Sequence, residues 1–151
     1  MNAEERYEEL LAVIDELAEA SAEKPVIVEG ERDVRSLRAL GVMGDILPLN
    51  RGTTVFVACE KLAAEHREAI ILTDWDVRGG QLARLLRDGL AANCVKYDET
   101  LRARLAFLCQ KEIKAVEDLQ RYVERIAPRG DDGRRRLRRN RAWYASASRR
   151  R

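Results

Sequence analysis

The distribution of apolar and polar residues predicts short buried strands that alternate with amphipathic helices. Residues 3–20 repeat apolar side chains at helical spacing with glutamates on the opposite face, which predicts an amino-terminal helix. Runs of β-branched and aliphatic residues predict four strands, at residues 26–28, 45–49, 69–73 and 94–97. The other segments have the helical period, and the predicted helices span residues 31–40, about 54–65, 77–90 and 99–126, the last as one long helix or two shorter ones.

Strands that alternate with helices indicate βαβ crossovers and therefore a mostly parallel sheet. We predict an α/β fold in which a four-stranded, mostly parallel sheet is flanked by helices, with helical extensions at both ends of the chain. The predicted segments are an amino-terminal helix at 1–24, an α/β domain at 25–98, a helical extension at 99–127 and a basic tail at 128–151. The tail lacks a clear apolar period, so we expect it to be disordered, or helical only when bound.

Composition is that of an ordinary globular protein. With 151 residues, of which 46% are apolar, the chain suits one domain with a tail. No apolar run reaches the roughly 18 residues of a membrane helix, and the acidic first residues do not resemble a secretory signal, so we expect a cytoplasmic protein. The three cysteines (Cys59, Cys94 and Cys109) match no zinc-site spacing, and we expect buried reduced thiols.

The formal net charge of +2 combines an acidic body with a basic tail. Residues 128–151 contain ten arginines and two aspartates, a charge of +8, which leaves −6 for residues 1–127. Clustered arginines neutralise phosphates and release counterions, and Trp143 and Tyr144 among them have rings that can stack on unpaired bases. The tail therefore predicts contact with nucleic acid, with solubility or a protein partner as the alternative, and the candidate contacts are Arg134, Arg135, Arg136, Arg138 and Arg139.

Three acidic residues follow predicted strands and are the strongest sign of chemistry in the chain. Glu29 comes after the first strand, and Asp74 and Asp76 come after the third. Parallel strands end at the same edge of a sheet, so these carboxylates are expected to converge there and to hold Mg²⁺ or Mn²⁺. Glu29 is the candidate catalytic residue, because a clustered carboxyl group suits proton transfer. The alternative for Asp76 is a helix cap without a metal.

Residues beside the acids have the chemistry of phosphate binding. Gly30 lets the backbone approach a phosphate without a Cβ clash, and free amides at a helix start favour anions near Gly79. Arginine binds phosphate oxygens well. The alternatives are ordinary surface charges for the arginines and close helix packing at Gly79 and Gly80. The predicted phosphate or nucleic-acid contacts are Gly30, Arg51, Gly52, Thr53, Arg78 and Gly79.

These motifs resemble those of a known family. The segment IVEG at residues 27–30, followed by Asp33, resembles the first signature of Toprim domains, and DWDVRG at residues 74–79 resembles the second. GTT at residues 52–54 resembles the loop after the second strand of bacterial-type primases. The order and spacing of the three motifs agree over residues 25–98, and the chain resembles most the small free-standing members of archaea and bacteria.

The resemblance implies a Rossmann-like sheet, Mg²⁺ and phosphodiester chemistry. Glu29 matches the family's acid/base glutamate, and Asp74 and Asp76 match its metal-binding aspartates. No tyrosine nucleophile of a topoisomerase and no zinc module of a primase is recognisable, so neither activity is expected. The predicted function is a Mg²⁺-dependent nuclease in RNA or DNA processing. The alternatives are a noncatalytic nucleic-acid-binding module of a replication, repair or RNA-processing complex and, less favoured, a nucleotide-binding or phosphatase-like enzyme. A homodimer or larger complex is also open, with the amino-terminal helix as a pairing surface.

Overall fold

Four parallel strands form the centre of the protein. A computed structural model describes residues 1–50, 53–109, 111–130 and 134–149. The strands form one sheet in the order β2-β1-β3-β4, and all three pairings are parallel, so the predicted four-stranded parallel sheet is confirmed. The observed strands are β1 (Val26–Val28), β2 (Ile46–Pro48), β3 (Glu68–Ile71) and β4 (Lys96–Asp98).

Seven helices are described around the sheet. The predicted stretch 99–126 divides into two helices, separated by a 3₁₀ turn at Val116–Asp118. Side-chain caps explain where some helices begin: Asn2 forms a capping box with Glu5, and Thr54 Oγ1 accepts the Val57 amide at 3.2 Å. Nowhere in the described ranges is a helix long and apolar enough to cross a membrane. The helices are α1 (Ala3–Ala20), α2 (Glu31–Ala39), α3 (Val55–Glu65), α4 (Val77–Ala92), α5 (Thr100–Cys109), α6 (Leu119–Ile126) and α7 (Arg134–Arg149).

The two faces of the sheet bury two separate apolar clusters. Val26 and Val28 of β1 belong to the larger cluster, with buried residues of α1, α2, α5 and α6. Ile27 points to the other face and belongs to the smaller cluster, with residues of α3 and α4. A strand covered on both faces requires continuous apolar residues, which explains the sequence of β1. Helix α1 buries its apolar face in the larger cluster of its own chain. Pairing of α1 with a second copy remains a prediction.

One cysteine departs from the expectation of burial. Cys59 and Cys109 are buried, whereas Cys94 is exposed. Cys94 has a positive φ of 58°, in the turn that leads from α4 to β4. The side chain of Cys94 is exposed there, whereas the next residue, Val95, is buried in the smaller apolar cluster.

The carboxyl-terminal segment, expected to be disordered or helical only when bound, forms α7 against the body of the protein. Leu137 packs against the larger cluster, and Asn140 Nδ2 donates to Asp15 Oδ1 at 2.7 Å. Arg141 Nη2 also donates to two backbone carbonyls at the carboxyl-terminal end of α2. A few tertiary contacts therefore hold a helix whose own sequence has no regular apolar face.

Candidate metal and phosphodiester site

The two acidic motifs meet where neighbouring strands end. β1 pairs with β2 on one side and with β3 on the other. Along the chain, β2 is therefore placed on one side of β1, and β3 and β4 are placed on the opposite side, which is a reversal of the strand order. In open α/β sheets this reversal leaves a crevice beyond the strand ends, and ligands bind there. Glu29 directly follows β1, and Asp74 follows β3 after two further residues. The topology therefore places Glu29 and Asp74 next to each other at this crevice.

Glu29 and Asp74 are in direct contact. Glu29 Oε2 accepts a hydrogen bond from the backbone amide of Asp74 at 2.8 Å. Asp74 Oδ1 accepts the amide of Val116 at 2.9 Å. Arg102 Nη2 donates to the Asp74 carbonyl at 2.8 Å, and its Nε donates to the carbonyl of the preceding Thr73 at 3.0 Å. The turn after β3 is thus held by β1, α5 and the 3₁₀ turn together, which fixes the geometry of the acidic pair.

The surroundings of Asp74 oppose its ionisation. Burial raises the pKa of the Asp74 carboxyl from its ordinary 3.8 to about 7. The carboxyl groups of Glu29 and Asp76 contribute to this increase, while the hydrogen bond from the Val116 amide works in the opposite direction. A cation bound beside this carboxyl group would favour its ionised form.

A further carboxyl group, Asp33, borders the pair. It is buried in the first turn of α2, and its Oδ2 accepts the Gly30 amide at 3.0 Å. Burial raises the pKa of Asp33 to about 6, and the charge of Asp74 contributes to the increase. A helix start by itself favours a carboxylate, so desolvation and the neighbouring acid outweigh the helix dipole here.

Asp76, the third predicted metal ligand, caps helix α4. Its Oδ1 accepts the Gly79 amide at 2.6 Å. The Gly79 amide, predicted to be free for phosphate, is therefore engaged by a carboxylate. An added Cβ at Gly79 would lie 1.8 Å from the Asp74 carbonyl oxygen, so close packing requires glycine there. At Gly80 the nearest atom would be 4.0 Å away, so this second glycine has no such requirement.

The acids fit a divalent cation in part. Over the ranges 1–50, 53–109, 111–130 and 134–149, no group of three or more Asp, Glu, His or Cys side chains has an arrangement that could hold a metal ion. Glu29 and Asp74 nevertheless offer hard oxygen donors close to each other. Asp76 uses Oδ1 in its cap and leaves Oδ2 for a cation. Glu29 and Asp74 are thus the residues that would hold Mg²⁺, and Asp76 stays a predicted ligand.

A cavity of about 480 Å³ lies over the acidic pair. Gly30, Thr53 and Arg78 line it, and Thr53 and Arg78 are exposed to solvent. An added Cβ at Gly30 would meet nothing within 4 Å, so the space above this residue is open. Arg51 and Gly52, also predicted to bind phosphate, lie outside the described residues.

Several residues of the site were missed by the sequence analysis. Val116 and Glu117 reach it from the 3₁₀ turn, and Arg102 reaches it from α5. No local pattern marks these three, because they approach the acids only through folding. Arg32 and Arg35 also line the cavity, and here a signal existed: their spacing of three residues puts both on the polar face of a predicted helix.

The arginines predicted to bind nucleic acid are carried by α7. Arg134, Arg135 and Arg136 are its first residues, and Arg138 and Arg139 are exposed. The helix packs on α1. Contact between these arginines and nucleic acid remains a prediction.

Comparison with known proteins agrees with the motifs. The Toprim domain family model matches residues 24–108, ten residues beyond the predicted end of the domain and into α5. A UPF0292 protein of Pyrococcus furiosus is 44% identical over 115 residues, 76% of this chain and 84% of that protein. A UPF0292 protein of Methanocaldococcus jannaschii is 35% identical over 125 residues, 83% of this chain and 98% of that protein. Among solved structures, a putative protein from Aquifex aeolicus matches with a TM-score of 0.61 and 25% identity, covering 71% of this chain and 94% of that chain. The chain therefore belongs to the Toprim-domain family.

Proposed function

We propose that this protein is a Mg²⁺- or Mn²⁺-dependent nuclease that cleaves phosphodiester bonds in RNA or DNA. The observation that carries the proposal is the contact between Glu29 and Asp74 at the point where the strand order reverses. Family membership supports it, because the Toprim match at residues 24–108 includes both acids and suggests a metal-dependent function on nucleic acid.

The acidic pair has the groups that such a reaction needs. A bound divalent ion would offset the charge that develops on the phosphate oxygens. Glu29 and Asp74 would hold this ion, with Asp76 Oδ2 as the predicted third donor. Glu29 binds the Asp74 amide through Oε2, and its carboxyl group is the candidate for proton transfer to or from a water or a ribose oxygen. Arg78 and Thr53, on the wall of the cavity, are placed to bind the phosphate.

A second candidate function is a noncatalytic nucleic-acid-binding module within a larger complex. The observation that favours it is that, in the described part of the chain, no three acidic, His or Cys side chains are arranged as metal ligands. Asp76 is engaged in capping α4, as a purely structural aspartate would be. In this alternative, the open space over Gly30 receives a phosphate that is held without being cleaved.

Substitution of the acids separates the two functions. Labelled single- and double-stranded RNA and DNA are incubated with the wild type and its variants in Mg²⁺ or Mn²⁺. Glu29→Gln keeps an oxygen that accepts the Asp74 amide but removes the proton-transfer group, so we expect turnover to fall by at least about a hundredfold while binding persists. Glu31→Gln is the matched control, because Glu31 is exposed and lines the same cavity.

The outcomes differ clearly between the candidates. Loss of cleavage in Glu29→Gln and in Asp74→Ala, with cleavage retained in Glu31→Gln, supports the nuclease. Cleavage that persists unchanged in Asp74→Ala refutes the assignment of the site. Binding without turnover in the wild type, indifferent to Glu29→Gln, supports the noncatalytic module.

A further inference from the structure

A second cavity extends from the acidic site along helix α2. It has a volume of about 480 Å³ and lies between α2, the 3₁₀ turn and α6. Arg32, Arg35 and Glu117 line both this cavity and the one over the acidic pair. The two cavities are therefore neighbours that share a wall. We call the second cavity, with Arg32, Arg35 and Arg121 on its walls, the arginine groove.

The helices that form the groove are held in a fixed relation. Arg32 and Arg35 are three residues apart in α2, so their side chains project from one side of the helix. The buried Ser36 accepts the backbone amide of Gln120 through its Oγ at 3.3 Å, which joins α2 to the start of α6. Arg121 follows directly on α6 and faces the same cavity. The three arginines thus converge on one space from two connected helices.

These three arginines are available to a ligand. All three are exposed, and none has an ion pair or a side-chain hydrogen bond with any residue in the described part of the chain. This holds although Glu117 and Asp118 line the same cavity. Unpaired guanidinium groups in a concave surface are suited to phosphate, which arginine binds through two parallel hydrogen bonds.

We propose that the arginine groove binds the backbone phosphates of a single-stranded nucleic-acid segment and leads that strand to the Glu29–Asp74 pair. The inference rests on the proposed function for the identity of the polymer. A single strand is favoured over a duplex, because both cavities have the size of pockets that take small ligands, and such spaces receive one nucleotide at a time. RNA and single-stranded DNA share the backbone chemistry that the groove recognises.

The test measures binding separately from cleavage. Full-length protein in EDTA is titrated into fluorescently labelled single-stranded RNA, single-stranded DNA and duplex DNA, and anisotropy is followed as salt increases. For a single strand, each phosphate contact contributes about 0.7 to the slope of log K against log salt. The groove variant is the triple substitution Arg32→Gln, Arg35→Gln and Arg121→Gln. Its slope for a single strand should therefore be smaller than that of the wild type by about 2.

A control variant removes the same charge from another surface. It carries Lys61→Gln, Arg67→Gln and Lys96→Gln, which are exposed residues that line neither of the two cavities. Its salt slope should match that of the wild type, because the groove is intact. A change of opposite sign is also expected: Asp118→Asn removes a negative charge from the groove and should tighten single-strand binding.

The possible results distinguish this inference from the proposed function. A reduced slope in the groove variant alone supports the groove. Equal slopes for the groove variant, the control variant and the wild type overturn it, even if Glu29→Gln abolishes cleavage. A preference for duplex that survives the groove substitutions also overturns it. Salt-sensitive binding through the groove without any Mg²⁺- or Mn²⁺-dependent cleavage by the wild type would instead overturn the nuclease and leave the groove standing.

Discussion

Asp74→Asn is expected to stabilise the folded protein while it removes the proposed activity. Asparagine has nearly the same shape as aspartate, and its Oδ1 can continue to accept the Val116 amide, which Asp74 accepts at 2.9 Å. The substitution removes a charge that burial and the neighbouring Glu29 and Asp76 disfavour. Functional sites commonly hold such unfavourable charges at a cost in stability.

The size and the pH dependence of the effect follow from the raised pKa. Burial and nearby acids raise the pKa of Asp74 from 3.8 to about 7, so the unfolded chain ionises this group more readily than the folded protein does. The destabilisation is therefore absent below about pH 4, grows between about pH 4 and 7, and is complete above about pH 7. A difference of about 3 pKa units sets a ceiling of about 4 kcal/mol. Because Asp74 is only partly buried, we expect a gain of about 1 to 3 kcal/mol after solvent screening.

Urea unfolding in EDTA measures this gain. At about pH 8 the free energy of unfolding of Asp74→Asn should exceed that of the wild type by about 1 to 3 kcal/mol, and at about pH 5 the excess should be less than half as large. Asp45→Asn, at an exposed position with no side-chain partner in the described ranges, is the matched control and should change stability by less than about 0.5 kcal/mol. A gain that is equal at the two pH values, or no gain at pH 8, would show that the Asp74 carboxylate is not disfavoured by its surroundings.

Three further predictions test neighbouring parts of the site. Gly79→Ala should destabilise the protein by more than about 3 kcal/mol in urea unfolding, because its Cβ would lie 1.8 Å from the Asp74 carbonyl oxygen. Gly80→Ala is the control and should be neutral or stabilising. Equal effects of the two substitutions would contradict the close packing at Gly79. Asp76→Ala should lower the free energy of unfolding by about 1 kcal/mol through loss of the α4 cap, whereas Asp76→Asn should keep the cap. A loss of metal-dependent cleavage in Asp76→Asn would identify Asp76 as a metal ligand, and unchanged cleavage would identify it as a helix cap only. Mg²⁺ at about a hundred times its Kd should stabilise the wild type by roughly 3 kcal/mol in thermal unfolding at pH 8. The same addition should leave the stability of Glu29→Gln nearly unchanged. Equal stabilisation of the two proteins would exclude Glu29 as a ligand.

The local pattern of the chain predicted much of the fold. The Val-Ile-Val run of β1 required cover on both faces, and the two apolar clusters provide it. The amphipathic period of residues 3–20 matched helix α1 at both ends. In contrast, α7 was missed, because its helix depends on contacts of Leu137 and Asn140 with distant segments rather than on its own period. Cys94 was misplaced for a similar reason, since its exposure depends on the path of a turn.

The sequence by itself determined which residues are the candidates for the chemistry and that they belong to a Toprim domain, because Glu29, Asp74 and Asp76 follow strands at motif spacing. Parallel pairing of β1 with β3 then brings the first two together, as the position of a residue at a strand end predicts. Only the tertiary structure decided how each acid is used: Glu29 receives the Asp74 amide, Asp74 receives the Val116 amide, and Asp76 turns to the start of α4. These hydrogen bonds, and the meeting of Arg121 with the arginines of α2, join segments far apart in the chain, so no local pattern could encode them.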